Sequence, residues 1–185
     1  GPAGEDWPVA RADRLGTTIT GMVLSVVLVF GAVLFVAFFT FKPADETIKT
    51  VDFQPTVAAA MKSGPFPPAV PVPVPQGWQA TSVRYRVSAT DPDLATWHLG
   101  FYIPDDEYAA VGQSNGRSDE YLPEVTSKGK SEGQQEVNGQ EWTRYRSEET
   151  GRLSLVLTQN QLTTVVTGTL TYEALGEFAA SLKPL

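Results

Sequence analysis

Residues 15–41 read LGTTITGMVLSVVLVFGAVLFVAFFTF, a run of 27 positions without a single charge. A helix rises about 1.5 Å per residue, so this run reaches roughly 40 Å and crosses a hydrocarbon core of about 30 Å with some tilt. Buried helices of soluble proteins rarely stay apolar on every face, and the apolar part of a signal peptide is usually about 7–15 residues long. We therefore expect an uncleaved transmembrane helix over residues 15–41.

The residues that flank this run bear on its orientation. Arg11 and Arg14 precede it, while Lys42 and Lys49 follow it, so the positive-inside rule gives no clear direction. A short N-terminal tail before a long apolar segment behaves as a signal anchor. We expect a single-pass protein of the cell membrane with its N-terminus in the cytoplasm and its C-terminal domain outside it.

A stripe of small residues follows helical spacing within the predicted membrane helix. Its members are Thr18, Gly21, Ser25 and Ala32. Small side chains on one face let a second helix approach closely, which predicts packing against an integral membrane protein complex. The alternative is that small residues are common in membrane helices, and the sequence leaves both interpretations open.

The charge balance limits the possible partners of the rest of the chain. From Lys42 onward there are 12 basic and 18 acidic residues, and the whole chain carries −7. Such a domain repels nucleic-acid backbones, so nucleic-acid binding is not expected. The chain has no cysteine, so its core must hold the fold without disulfides.

Two segments flank the predicted membrane helix, one before it and one between it and the predicted C-terminal domain. Residues 1–14 form a tail, and residues 42–76 form a tether that contains a short helix over residues 54–63 and the run GPFPPAVPVPVPQG. Dense proline favours a polyproline II rod that does not pair with a sheet. We interpret the rod as a stiff spacer along a partner's surface, although a ligand for an aromatic-lined groove is an alternative. Its prolines are Pro65, Pro67, Pro68, Pro71, Pro73 and Pro75.

Residues 77–185 are predicted to form an α+β domain with an antiparallel sheet, covered by a C-terminal helix over residues 172–182 with Thr171 as its N-cap. Asn138-Gly139 predicts a tight hairpin turn, and residues 148–151 and 159–161 predict two further hairpins. A shorter helix is expected over residues 118–126. Strands are predicted where β-branched and aromatic residues alternate with polar ones. These strands are residues 78–87, 96–103, 108–114, 140–146, 153–158 and 163–169.

The residues with chemical potential do not form a recognisable catalytic set. Residues 112–116 match the G-x-S-x-G motif, but the only histidine, His98, precedes Ser114, and no large parallel sheet is predicted. One histidine without cysteine is a poor zinc site, and we expect His98 on the sheet face opposite Trp97, Leu99 and Phe101. We predict no catalytic residue, no cofactor site and no metal site, and we do not expect an enzyme.

Several segments carry a resemblance to a known family. They are Val51-Asp52-Phe53-Gln54-Pro55, residues 77–82 (GWQATS), residues 97–101 (WHLGF), residues 107–111 (EYAAV), residues 139–142 (GQEW) and residues 165–168 (VVTG). In this order after an apolar anchor, they resemble an actinobacterial family known as domain of unknown function 4245. The resemblance implies one N-terminal anchor and a domain on the outer face of the cytoplasmic membrane. It implies no catalytic residues.

Two functions fit these observations. The first is a non-catalytic accessory subunit of a larger actinobacterial membrane complex, with a respiratory supercomplex of cytochrome bc and cytochrome oxidase as the best guess. The second is a membrane-tethered extracytoplasmic module that binds a lipid, a cell-wall fragment or a small molecule in a cleft between the sheet and the C-terminal helix.

Overall fold

The structure is a computed structural model that describes residues 48–184, together with residues 22–23, 26–27, 29–31 and 33. It divides the chain into two compact units, Gly1–Thr47 and Ile48–Leu185. The described residues of the first unit are helical, and no helix in the described part of the chain is long and apolar enough to cross a membrane. The tail, much of the predicted membrane helix, and Thr18, Gly21, Ser25 and Ala32 lie outside the described residues.

The second unit contains one large antiparallel sheet. Its strands and the short strands beside it are β1 (Ala69–Pro71), β2 (Gln79–Val87), β3 (Ala95–Ile103), β4 (Glu107–Ser114), β5 (Lys130–Val137), β6 (Gln140–Arg146), β7 (Leu153–Gln159), β8 (Leu162–Gly168) and β9 (Leu182–Pro184). The helices are α1 (Gln54–Ser63), α2 (Ser118–Val125) and α3 (Tyr172–Ser181). Strands β2 to β8 form the large sheet in the order β2-β3-β4-β8-β7-β6-β5, and β1 pairs with β9 in a separate ribbon.

The hydrophobic core lies between one face of this sheet and α3. Alternation along β3 places Trp97, Leu99 and Phe101 on that face, and each is at most 1% exposed. The ring of Phe101 meets Phe178 of α3 edge to face, with 6.0 Å between ring centres, and the Trp78 ring packs against both at a tilt. The predicted antiparallel sheet with a covering C-terminal helix is therefore confirmed.

Local signals in the sequence set the turns and the start of α3. Asn138 and Gly139 have φ angles of 51° and 74°, as a two-residue hairpin turn requires, and they join β5 to β6. The hydroxyl oxygen of Thr171 accepts a hydrogen bond from the backbone N–H of Ala174, so the predicted N-cap is confirmed. The predicted hairpins β6–β7 and β7–β8 and the predicted helices α1 and α2 are also present.

The prediction that the proline-rich run does not pair with a sheet is wrong for β1. Ala69–Pro71 pairs antiparallel with Leu182–Pro184 after α3. The backbone N–H of Ala69 also donates to Oε1 of Gln113 at 2.7 Å, and its carbonyl oxygen accepts from Nε1 of Trp97 at 3.0 Å. The physical reason is that Ala69 and Val70 keep the backbone N–H groups that the flanking prolines lack, and their side chains are buried.

Strand β5 was not predicted from the sequence. Its residues are mostly polar and exposed, and only Val137 is buried. As the edge strand it pairs with β6 alone, so backbone hydrogen bonds hold it rather than an apolar face. Hydrophobic periodicity therefore gave no signal for it.

The tryptophans provide a test of how the proline-rich run docks. Trp97→Phe removes the hydrogen bond to Ala69 and leaves that carbonyl without its indole donor, so we expect a loss of about 1–3 kcal/mol in the free energy of unfolding beyond the packing loss. Trp142→Phe is the matched control, because the structure records no partner for its buried Nε1 among the described residues. Urea unfolding followed by circular dichroism measures both variants. Equal losses would contradict this docking.

Candidate functional site

A groove of about 350 Å³ lies on the sheet face opposite α3. Edge strand β2 forms one side and α2 with its following turn forms the other, while β3 and β4 lie between them. Its lining residues are Arg84, Arg86, Thr96, Trp97, His98, Tyr108, Tyr121, Glu124, Val125, Ser127, Arg152 and Thr167.

Two glycines shape this face of the sheet. A Cβ atom on Gly112 would lie 2.5 Å from the hydroxyl oxygen of Tyr121. A Cβ atom on Gly100 would lie 2.5 Å from the Ser82 hydroxyl and 2.7 Å from that of Tyr108. Because real Cβ contacts are not this short, side chains at these two positions would displace the hydroxyl groups that surround the groove.

Three arginines give the groove a positive charge. Arg84 and Arg86 are two residues apart on β2 and therefore share a face. Arg152 immediately precedes β7, and its guanidinium carbon lies 5.4 Å from the centre of the Tyr108 ring. None of the ion pairs recorded for the described residues involves these arginines, and Glu124 is the one carboxylate among the lining residues.

His98 is half-buried on the groove face, opposite Trp97, Leu99 and Phe101, as the sequence predicted. Its Nε2 atom lies 3.2 Å from the hydroxyl oxygen of Ser82. Burial lowers the pKa of His98 below its ordinary value of 6.5, and the positive charge of Arg84 lowers it further. At pH 7 the imidazole is mainly neutral, so it offers one hydrogen-bond donor and one acceptor.

Two tyrosines add hydroxyl groups to the groove. Burial raises the pKa of Tyr108, while the charges of Arg152 and Arg84 and hydrogen bonding with Ser82 act in the opposite direction. Burial also raises the pKa of Tyr121, and the nearby charge of Glu124 adds to this effect. Both hydroxyls therefore stay protonated at neutral pH and can donate hydrogen bonds.

Two features of this face and of the adjacent strand resemble catalytic motifs, and each lacks further parts among the described residues. The Ser82–His98 contact resembles a nucleophile and its base, but no third side chain that would orient the imidazole is hydrogen-bonded to His98 in the part of the chain that the structure describes. Ser114 of the G-x-S-x-G motif is buried, and its Oγ accepts from the Gly116 N–H. Among the described residues no group of three or more potential metal-ligating side chains is found.

The predicted location of a ligand cleft is wrong. A cleft between the sheet and the C-terminal helix was expected, but Trp78, Phe101 and Phe178 fill this interface and Leu175 is fully buried there. Leu175, Phe178 and Ala179 of α3 are buried in the hydrophobic core there. The groove lies on the other face instead.

The predicted partner-surface prolines differ in accessibility. Pro68 and Pro71 are buried within the domain, Pro65, Pro67 and Pro73 are exposed, and Pro75 is half-buried. The two buried prolines pack in the domain itself, so only the other four are accessible to a partner. Contact with a partner stays a prediction for these four.

Sequence reasoning missed the arginines and tyrosines of the groove. A partial signal was present, because Arg84-Tyr85-Arg86 on a strand places two positive charges on the face opposite Tyr85. Nothing in the local sequence brings Tyr108, Tyr121 and Arg152 to the same place. The proximity of Tyr108 and Arg152 follows from the pairing of β4 with β8, in which Gly112 lies opposite Val165, 53 residues later in the chain.

The electrostatics of the groove can be measured at its histidine. Arg84→Gln removes a positive charge near His98, so the pKa of His98 should rise but stay below 6.5, because burial still lowers it. NMR titration reports this directly, since the chain has a single histidine. Arg117→Gln is the matched control, because Arg117 is exposed and pairs with Asp119. A pKa that falls or stays unchanged in Arg84→Gln would contradict the described geometry.

Comparisons with known proteins place the chain in one family. No curated protein matches it, and no solved structure matches it. A family model described as protein of unknown function (DUF4245) matches residues 14–182, which is most of the chain. The chain therefore belongs to the DUF4245 family.

Proposed function

We propose that this chain is a non-catalytic, membrane-tethered extracytoplasmic binding module that holds a ligand in the groove between β2 and α2. The single observation that carries the proposal is the convergence of three arginines, outside any recorded ion pair, on an open groove of about 350 Å³. A volume of this size lies within the usual range of ligand pockets. The uncharged run over residues 15–41 supplies the tether.

The chemistry of the lining residues supports binding rather than turnover. Arginine guanidinium groups, tyrosine hydroxyls and a neutral imidazole provide donors of fixed direction. Arg84, Arg86 and Arg152 are exposed, and no ion pair recorded for the described residues involves them. Their charges are therefore available to a ligand of opposite charge.

Occupancy of the groove is tested by native mass spectrometry of the full chain purified from its own membranes in mild detergent. We expect a non-protein adduct on the unchanged protein. Thr96→Trp places an indole in the groove from an exposed position on β3 and should abolish the adduct. Ser131→Trp is the matched control on edge strand β5, away from the groove, and should keep it.

The proposal fails if the unchanged protein carries no adduct, or if Thr96→Trp and Ser131→Trp carry it equally. Circular dichroism of each variant shows whether the sheet is intact. If Thr96→Trp unfolds the domain, Thr96→Phe supplies a second block, because its smaller ring occupies the same space without adding a charge.

The second candidate function is that of a non-catalytic accessory subunit of an actinobacterial membrane complex, namely the cytochrome bc–cytochrome oxidase supercomplex. Exposed apolar side chains in the proline-rich run favour it, since Val72 is 46% and Val74 is 37% exposed. Met61 at the end of α1 is 52% exposed. Together with the four accessible prolines, these residues offer a partner surface that does not involve the groove.

Purification in mild detergent distinguishes the second candidate. A subunit migrates with a larger complex, and Val72→Asp with Val74→Asp should release it, because two charges would be placed in an apolar contact. The groove variant Thr96→Trp should leave this association intact. Migration of the unchanged protein as a free monomer would contradict the second candidate.

A further inference from the structure

We propose that the groove recognises a phosphate ester, held between Arg84 and Arg152 with the Tyr108 hydroxyl as a neutral donor. This inference rests on the proposed binding function and names the chemical class of its ligand. The class includes the headgroup of an anionic phospholipid and a soluble phosphate ester, which share the same phosphate chemistry.

The charges reach the groove from two separate elements. Arg84 lies on β2 at one edge of the sheet, and Arg152 lies just before β7 on the other side of β3, β4 and β8. Both arginines line the same groove as Tyr108, and the guanidinium carbon of Arg152 lies 5.4 Å from the centre of the Tyr108 ring. Arg86 continues the positive charge along β2, about 7 Å from Arg84 at the usual rise of a strand.

Hydroxyl groups lie on the same face of the sheet as these arginines. The hydroxyls of Tyr108 and Ser82 both lie over Gly100, within 2.7 Å of the place where its Cβ would be. The Tyr121 hydroxyl lies over Gly112 in the same way, and no hydrogen bond to it is recorded among the described residues. These groups can donate to an oxyanion without adding charge.

Phosphate fits this arrangement better than carboxylate. One arginine fork satisfies both oxygens of a carboxylate, which lie in one plane. A phosphate has oxygens in several directions and can accept from arginines on two sides and from hydroxyls beneath it. Two arginines on opposite sides of the groove therefore favour the tetrahedral anion.

The acidic chain does not conflict with a phosphate ligand. Surface charges are screened beyond about 8 Å at physiological salt, so a small anion in the groove responds mainly to the arginines around it. A long nucleic acid would also meet the acidic surface outside the groove, where the net charge of −7 opposes it. The recognised unit is therefore one phosphate group rather than a polynucleotide.

The experiment is isothermal titration of the full chain, purified in detergent and stripped of bound lipid. Its arms are inorganic phosphate, glycerol phosphate, nanodiscs of phosphatidylglycerol in phosphatidylcholine, nanodiscs of phosphatidylcholine alone, and succinate as the carboxylate. We expect at least one of the phosphatidylglycerol and glycerol phosphate arms to bind, and succinate to bind at least about tenfold more weakly. Tighter binding of the lipid identifies a headgroup as the source, and equal or tighter binding of glycerol phosphate identifies a soluble ester.

Substitutions locate the binding. Arg84→Gln with Arg152→Gln should weaken it by about tenfold or more, because each substitution removes a charge-assisted hydrogen bond. Lys62→Gln with Lys183→Gln is the matched control, since it removes two exposed positive charges outside the groove. Equal weakening in the two double variants would mean general charge attraction and would overturn the inference, as would succinate that binds as tightly as the phosphate esters.

The outcomes separate this inference from the proposed function. An adduct that Thr96→Trp removes, but whose fragmentation yields no phosphate and whose binding survives loss of Arg84 and Arg152, refutes the phosphate inference and leaves a ligand-binding groove. Absence of both the adduct and any titratable binding refutes the two together.

Discussion

The contact between β3 and α3 is the interaction on which the rest of the domain depends. Trp97, Leu99 and Phe101 present one apolar face, and Phe178 with Leu175 covers it. Full burial of each large apolar side chain contributes about 1.5–3 kcal/mol, so this interface supplies much of the folding free energy. The packing also fixes which sheet face is covered and which remains available.

The open face carries residues that the core cannot accommodate. His98 alternates with the buried residues of β3, and Arg84 lies opposite it on β2. The missing side chains of Gly100 and Gly112 make room for the hydroxyls of Ser82, Tyr108 and Tyr121, and α2 closes one side of the groove. A groove lined by positive charge therefore follows from strand alternation, two missing side chains and one short helix. It lies in a chain whose overall charge is negative.

Much of the domain could be predicted from the sequence, because its signals are local. Alternation located six strands, Asn138-Gly139 located a hairpin, and Thr171 located the start of α3. The proline-rich run was mispredicted because the rule that proline cannot donate says nothing about Ala69 and Val70 between prolines. The groove was missed because its residues are far apart in the chain. Strands β2, β3 and β4 pair consecutively, but Arg152 reaches them only through the long-range pairing of β4 with β8.

The most direct test of this account is an experimental structure of the full chain, purified with its native lipids. The account predicts additional density in the groove, between the guanidinium groups of Arg84 and Arg152 and in contact with Tyr108. A structure in which these arginines pair with carboxylates of the same chain and no additional density lies between them would contradict it.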